Sequence, residues 1–160
     1  MALHSELSGT SAAFQQFSEG WDFEPPSRII ADLTPEQAIT IPPGCPNSIG
    51  TQVAHMHFWQ SLWLERIAGE PDRPRWAKNA DFPIVTANEW EKLRTGFITG
   101  LGSAKSVSAN TADFSRVVGR FTVEQIVLQI ALHNSYHLGQ ISIYRQLLGI
   151  WPPEGSDESW

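Results

Sequence analysis

Cysteine is almost missing from this chain. Cys45 is the single thiol among 160 residues. No intrachain disulfide can form, and no thiolate cage for a metal can be built. Any metal site must use histidine and oxygen donors. Basic residues are scarce as well: Lys and Arg number 11 against 17 Asp and Glu, a formal charge of −6, and no Lys/Arg cluster offsets it. That balance argues against nucleic acid as a partner, because such binders neutralise phosphates, and against an anionic membrane surface. No run approaches 18 consecutive apolar residues, so no membrane span is expected. The opening stretch, MALHSELSGTSAAFQQF, has neither a basic start nor an apolar run of signal-peptide length, and a soluble cytoplasmic protein is the expectation. Strand signals are few, since Phe82-Pro83-Ile84-Val85 is short and holds a proline.

What the chain does have is enough apolar sequence for one core without staples, 41% hydrophobic against 18% charged, a composition of neither disorder nor coiled coil. It also has seven tryptophans, and five histidines of which four fall into two tight clusters. The expected organisation is one domain over residues 1–153 and an acidic, loose tail from Glu154 to Trp160.

Four segments carry helical periodicity. Leu3, Leu7, Thr10, Phe14 and Phe17 lie on one face of the first, which Gly20 ends. Thr34 and Pro35 cap and open a short helix inside the proline-rich stretch that follows. Asn47 or Ser48 opens the second long helix, which runs to about Ile67 and stops at Gly69. A long loop with Pro71, Pro74 and Pro83 leads to a capping box, Thr86 with Glu89. The third helix then carries a stripe of Trp90, Leu93, Phe97, Leu101 and Ala104. Gly96, Gly100 and Gly102 weaken it by about 1 kcal/mol each against alanine and would permit a close helix approach. Thr122 with Gln125 opens the longest helix, from Val123 to Leu148, closed by Gly149. Four long amphipathic helices predict an all-α, four-helix bundle with a long loop between the second and third.

The fourth helix carries the chemistry. Its inward series is Ile126, Ile130, His133, His137, Ile141, Tyr144 and Leu148, so both histidines point into the bundle one turn apart. Two imidazoles at that spacing can meet one metal ion at about 2.0–2.1 Å. Burying both without a shared partner would cost desolvation twice. The second helix offers a third donor in Ala54-His55-Met56-His57-Phe58-Trp59. His55 and His57 face roughly opposite ways, and the apolar centre of the helix falls between them, so periodicity does not choose. His4 stands near the chain start. The spacing of His133-Asn134-Ser135-Tyr136-His137 is that of the HExxH zinc-protease pattern, but Asn134 stands where that pattern needs a glutamate base, which disfavours peptide hydrolysis.

The stretch His133-Asn134-Ser135-Tyr136-His137-Leu138-Gly139-Gln140-Ile141, followed by Leu147-Leu148-Gly149, resembles the C-terminal signature of the DinB/YfiT-like family. Asn47-Ser48-Ile49-Gly50-Thr51-Gln52-Val53-Ala54-His55 resembles that family's first metal-binding motif. The likeness covers the order and lengths of all four helices, from Leu3 to Pro153. It implies a four-helix bundle holding a divalent metal, Zn2+ or Ni2+, on His55, His133 and His137, and so selects His55 over His57. Many members carry an acidic residue where this chain has Asn134, which leaves no carboxylate beside the ion. Some members resemble S-transferases that use a low-molecular-weight thiol, bacillithiol or mycothiol, as cosubstrate. The resemblance thus implies a metal-dependent enzyme acting on a small electrophilic molecule, as a thiol S-transferase or a hydrolase. A homodimer is compatible with such a bundle. The contrasting reading is a bundle in which the ion only staples helices, or one whose histidines merely hydrogen-bond in the core. Trp59, Trp63 and Trp90 are expected core residues, with Trp59 also placed to wall a pocket beside His55. Trp151 would cover an open bundle end, Tyr136 and Asn134 would be interface or surface polar groups, and Cys45 a bystander.

Overall fold

Helices begin where a side chain can satisfy their first free N–H groups, and this chain places such residues at each long turn. In the computed structural model, which describes residues 9–70 and 81–156, the described residues form six α-helices, a 3-10 turn and one small hairpin. These are α1 (Gly9–Glu19), α2 (Pro26–Ile29), α3 (Pro35–Ile39), α4 (Ile49–Ala68), α5 (Ala87–Ala109), the turn Thr111–Asp113, β1 (Val117–Val118), β2 (Phe121–Thr122) and α6 (Val123–Leu147). Thr34 and Gln37 form a reciprocal capping box, as do Thr122 and Gln125, each satisfying two N–H groups. Ser48 accepts from the Thr51 N–H at 3.2 Å and opens α4. The Glu89 carboxylate accepts from both the N–H and the hydroxyl of Thr86 at the start of α5. Gly69, at φ +84°, ends α4 in the left-handed region, where a side chain would be strained.

The four long helices form the expected bundle. α1 packs on α5 and α6, and α4 packs on the same two, while α2 and α3 close the sides. The core is the shared interior: Phe14 and Phe17 from α1, Val53 and Met56 from α4, Trp90 and Phe97 from α5, Ile130 and Ile141 from α6. Trp90 is fully buried and donates its ring N–H to the Leu33 carbonyl at 3.0 Å. Of the expected first-helix stripe, Thr10, Phe14 and Phe17 lie in α1; Leu3 and Leu7 fall outside the described residues, as do His4, Pro71 and Pro74. The start of the acidic tail is tied down, because the Glu154 N–H donates to Asp32 at 2.8 Å and Arg28 donates to Ser156 at 3.3 Å.

Sequence reasoning did not anticipate α2 or the hairpin. Both are shorter than any window in which a period can be read. The hairpin pairs Val117 with Thr122 and Val118 with Phe121 across Gly119 and Arg120, and Gly119 supplies the positive φ, +63°, that a two-residue turn requires. Residues 82–85 are loop, as the proline in that short run predicts.

Two of the helix glycines serve close approach. A Cβ at Gly96 would lie 3.1 Å from the His57 ring, and one at Gly100 would lie 2.3 Å from the Gln60 amide nitrogen. Gly102 meets nothing within 4 Å, so the close contact expected of it does not occur. Gln60 is fully buried. It donates to the Phe97 carbonyl at 3.0 Å and accepts from Asn134 at 2.8 Å. Gly100→Ala would push Gln60 off both partners. We expect it to destabilise the protein by about 1–3 kcal/mol, the usual penalty for orphaned buried polar groups. Gly102→Ala, with open space around it, should gain up to about 1 kcal/mol from helix propensity. Urea unfolding of the two variants reads the opposite signs, and equal shifts would refute this account of Gly100.

Candidate metal centre

The inward stripe of α6 brings His133 and His137 to the α4 interface, and α4 presents His55 to them. One ring nitrogen from each of the three lies within 4.8 Å of those from the other two, a group able to hold a metal ion. The Nε2 atoms of His55 and His133 are 3.1 Å apart. His55 and His137 are buried and His133 is half-buried. His57 is not part of this group; it points across the helix to the notch at Gly96.

Hydrogen bonds set which nitrogen is free. Nδ1 of His55 lies 2.7 Å from the Asp81 carbonyl oxygen. A carbonyl only accepts, so Nδ1 carries the proton and Nε2 keeps its lone pair. Nδ1 of His137 donates in the same way to Gln52 Oε1 at 2.7 Å and Gln140 Oε1 at 3.0 Å. Gln52 is itself oriented: its amide nitrogen donates to Asn47 Oδ1 at 3.0 Å, which also accepts from the Tyr144 hydroxyl at 3.2 Å. Both rings therefore turn an unprotonated Nε2 toward the other histidines. This is how carbonyl acceptors orient imidazole ligands behind a metal.

Aromatic rings surround the three imidazoles. Phe82 stacks on His55 with centroids 4.2 Å apart and planes 1° from parallel. Trp63 meets His133 edge-on at 5.1 Å, and Trp59 stands 6.4 Å from His55. Tyr136 is exposed and meets the His137 ring edge-on. Trp59 and Trp63 are thus half-buried walls and not full core residues, whereas Trp90 is core. Trp151 packs half-buried against the core at the bundle end. Asn134 is fully buried and donates to Gln60. An ionised carboxylate at that position could not make this bond.

Burial pushes all three histidines below their ordinary pKa. His133 falls to about 4, through burial first and then through the charges of His137 and His55. In His55 the Asp81 carbonyl partly offsets burial, and in His137 Gln140 does so. All three are neutral at pH 7 and carry the lone pairs a metal needs. The sign for stability follows. The unfolded chain takes up protons at the ordinary 6.5, whereas folded His133 resists until about 4. The histidine contribution is therefore fully present above 6.5 and is lost as pH falls toward 4. Melts of the metal-free protein should show a level melting temperature above pH 7 and a steady fall below 6.5. A level profile down to pH 4.5 would contradict the burial of neutral imidazoles.

A groove of about 560 Å³ opens beside the histidines, lined by Trp59 and Trp63 on α4, by Leu128 and Leu132 on α6, and by Arg66 and Arg120. Sequence reasoning found Trp59 as a pocket wall but missed Asp81, Phe82, Gln52 and Gln140. The three-residue step from His137 to Gln140 was the one available signal; the others come from separate elements.

An all-α bundle with three convergent, neutral imidazoles on facing helices fits a metal-binding helical protein. The chain belongs to the DinB superfamily, whose family model matches residues 27–141, a span that includes His55, His133 and His137. No curated protein matches the chain. No described helix is long and apolar enough to cross a membrane.

Proposed function

We propose that His55, His133 and His137 are the ligands of a divalent ion, Zn2+ or Ni2+, and that the protein is a metal-dependent enzyme acting on a small electrophilic molecule, as a thiol S-transferase or a hydrolase. The observation that carries this reading is the convergence of one ring nitrogen from each of three histidines, two of the rings held at Nδ1 by carbonyl acceptors. An ion held there supplies Lewis acidity and brings the pKa of a bound water or thiol toward neutrality. Among the described residues no fourth His, Cys, Asp or Glu joins the group, and three protein donors are the count of catalytic sites, not of closed structural ones. That count, and the groove beside the rings, favour an enzyme over a metal staple.

The protein's own residues do the rest. Phe82, Trp63 and Trp59 exclude water from one side of the imidazoles, and Asp81 and Gln52 hold their tautomers. Elemental analysis of purified protein tests the centre: near one divalent ion per chain is expected, and its absence would sink the reading. A scan of electrophiles with several low-molecular-weight thiols, and with water alone, tests the chemistry. Turnover that a chelator abolishes is the expected result. A bound ion with no turnover under any combination would leave the staple as the better account.

A further inference from the structure

The groove beside the histidines has two chemically different ends. Its α4 wall runs from Trp59 to Arg66 and its α6 wall from Leu132 back to Gln125. The ends of each wall are seven residues apart, about 10 Å at the helical rise. At the near end stand Trp59, Trp63 and Leu132, and Trp63 touches the His133 ring. At the far end stand Arg66, Arg120 and Gln125. The same two arginines, with Glu70, also line a neighbouring cavity of about 600 Å³, so they stand at the junction of both. The Arg120 guanidinium lies over the Phe121 ring, 5.0 Å from its centroid. A stacked guanidinium keeps its in-plane N–H donors for an anion. Gln125 accepts the Thr122 N–H through Oε1, which aligns its amide nitrogen as a further donor.

Two features make this arrangement informative. The chain carries an excess of acid, with only 11 basic residues, yet two of them flank one cleft. In addition, Leu128 and Leu132 are exposed on α6 within that cleft, beside Trp59 and Trp63 on its other wall, so the groove offers an apolar lining of the kind small-molecule sites use. We infer that the groove takes an elongated carboxylate. Its apolar body lies against Trp59, Trp63, Leu128 and Leu132, its carboxylate meets Arg120, and its other end reaches the histidines about 10 Å away. A planar guanidinium with in-plane donors, beside an amide donor, can take a carboxylate in a bidentate fashion. The volume is within the range of small-molecule sites. The placement of the reacting end rests on the metal-enzyme reading; the anion end does not.

Calorimetric titration with 4-phenylbutyrate and 4-phenylbutanol, which share a length and differ in charge, tests the inference. Both are titrated into chelator-treated and metal-loaded protein. In metal-free protein the acid is expected to bind about tenfold or more tighter than the alcohol, as a charge-assisted hydrogen bond provides. Arg120→Gln should close that gap while leaving the alcohol's affinity, the metal content and the melting temperature unchanged. Trp63→Ala should weaken both compounds. Equal affinities, a gap that survives Arg120→Gln, a gap confined to metal-loaded protein, or no binding of either compound at millimolar concentration would each overturn it. A gap that depends on Arg120 in a protein that binds no metal keeps this inference and sinks the metal reading. Bound metal without a gap does the reverse.

Discussion

His55→Ala and His137→Ala are expected to lose the divalent ion, while His57→Ala keeps it. Each of the first two removes one of three convergent nitrogens and also orphans a group that oriented it, the Asp81 carbonyl or Gln52. His57 points to Gly96 and contributes no donor. The same variants should lose the stabilisation that a bound ion provides, about 2.7 kcal/mol at a hundredfold excess over Kd. For a domain of this size that is a metal-dependent rise in melting temperature of about 5–10 °C. Gln52→Leu should be intermediate. It keeps all three rings but removes the acceptor that holds His137, so affinity should fall about ten- to a hundredfold. Elemental analysis, competition with a chromogenic chelator and melts with and without metal measure all four variants. Metal lost from His57→Ala and retained in His55→Ala would overturn the assignment.

Arg145→Met is expected to cause the largest loss of stability in the metal-free protein. Arg145 is 1% exposed at the end of α6. Its guanidinium donates to the Ile29 carbonyl at 2.6 Å, to Asp32 at 2.7 Å and to the Ile150 carbonyl at 2.9 Å. One side chain thus ties α6 to α2 and to the chain beyond Gly149. Burial alone raises the Asp32 pKa, but the bonds from Arg145 and from the Glu154 N–H bring it below the usual carboxylate value. Removing the cation leaves the Ile29 and Ile150 carbonyls without this donor, at about 1–3 kcal/mol for each buried acceptor left unpaired, and it also unpairs Asp32, whose side chain is 27% exposed and keeps the Glu154 N–H. Thermal melts should drop by about 10 °C or more. Arg145→Lys should rescue little, because an ammonium cannot fork across three acceptors. A change under about 1 kcal/mol would show the cluster to be dispensable.

Much of the bundle is legible in contiguous sequence. Thr34, Ser48, Thr86 and Thr122 start helices because a hydroxyl or a reaching Glu or Gln side chain satisfies N–H groups within the same turn. Gly20, Gly69 and Gly149 stop them because each tolerates a positive φ. The burial of Ile126, Ile130, His137, Ile141 and Tyr144 follows from their spacing alone. The pairing of His133 with His137 is likewise local, one turn of one helix.

The meeting of elements is not local, and there the sequence is silent. The wheel of α4 left His55 and His57 equal. Packing separates them, because one side of α4 meets α6 and the other meets α5, where Gly96 makes room for His57. The Asp81 carbonyl and the Phe82 ring reach His55 from 26 and 27 positions away, and Gln52 reaches His137 from 85. No period links such residues, since a hydrogen bond across a bundle depends on helix placement and not on sequence separation. The sequence alone determined four amphipathic helices, their ends, and a buried pair of histidines. The identity of the third imidazole, the tautomers of the rings and the two-ended groove exist only where α4, α6, the 81–86 loop and the hairpin come together, because each depends on side chains brought into contact by packing.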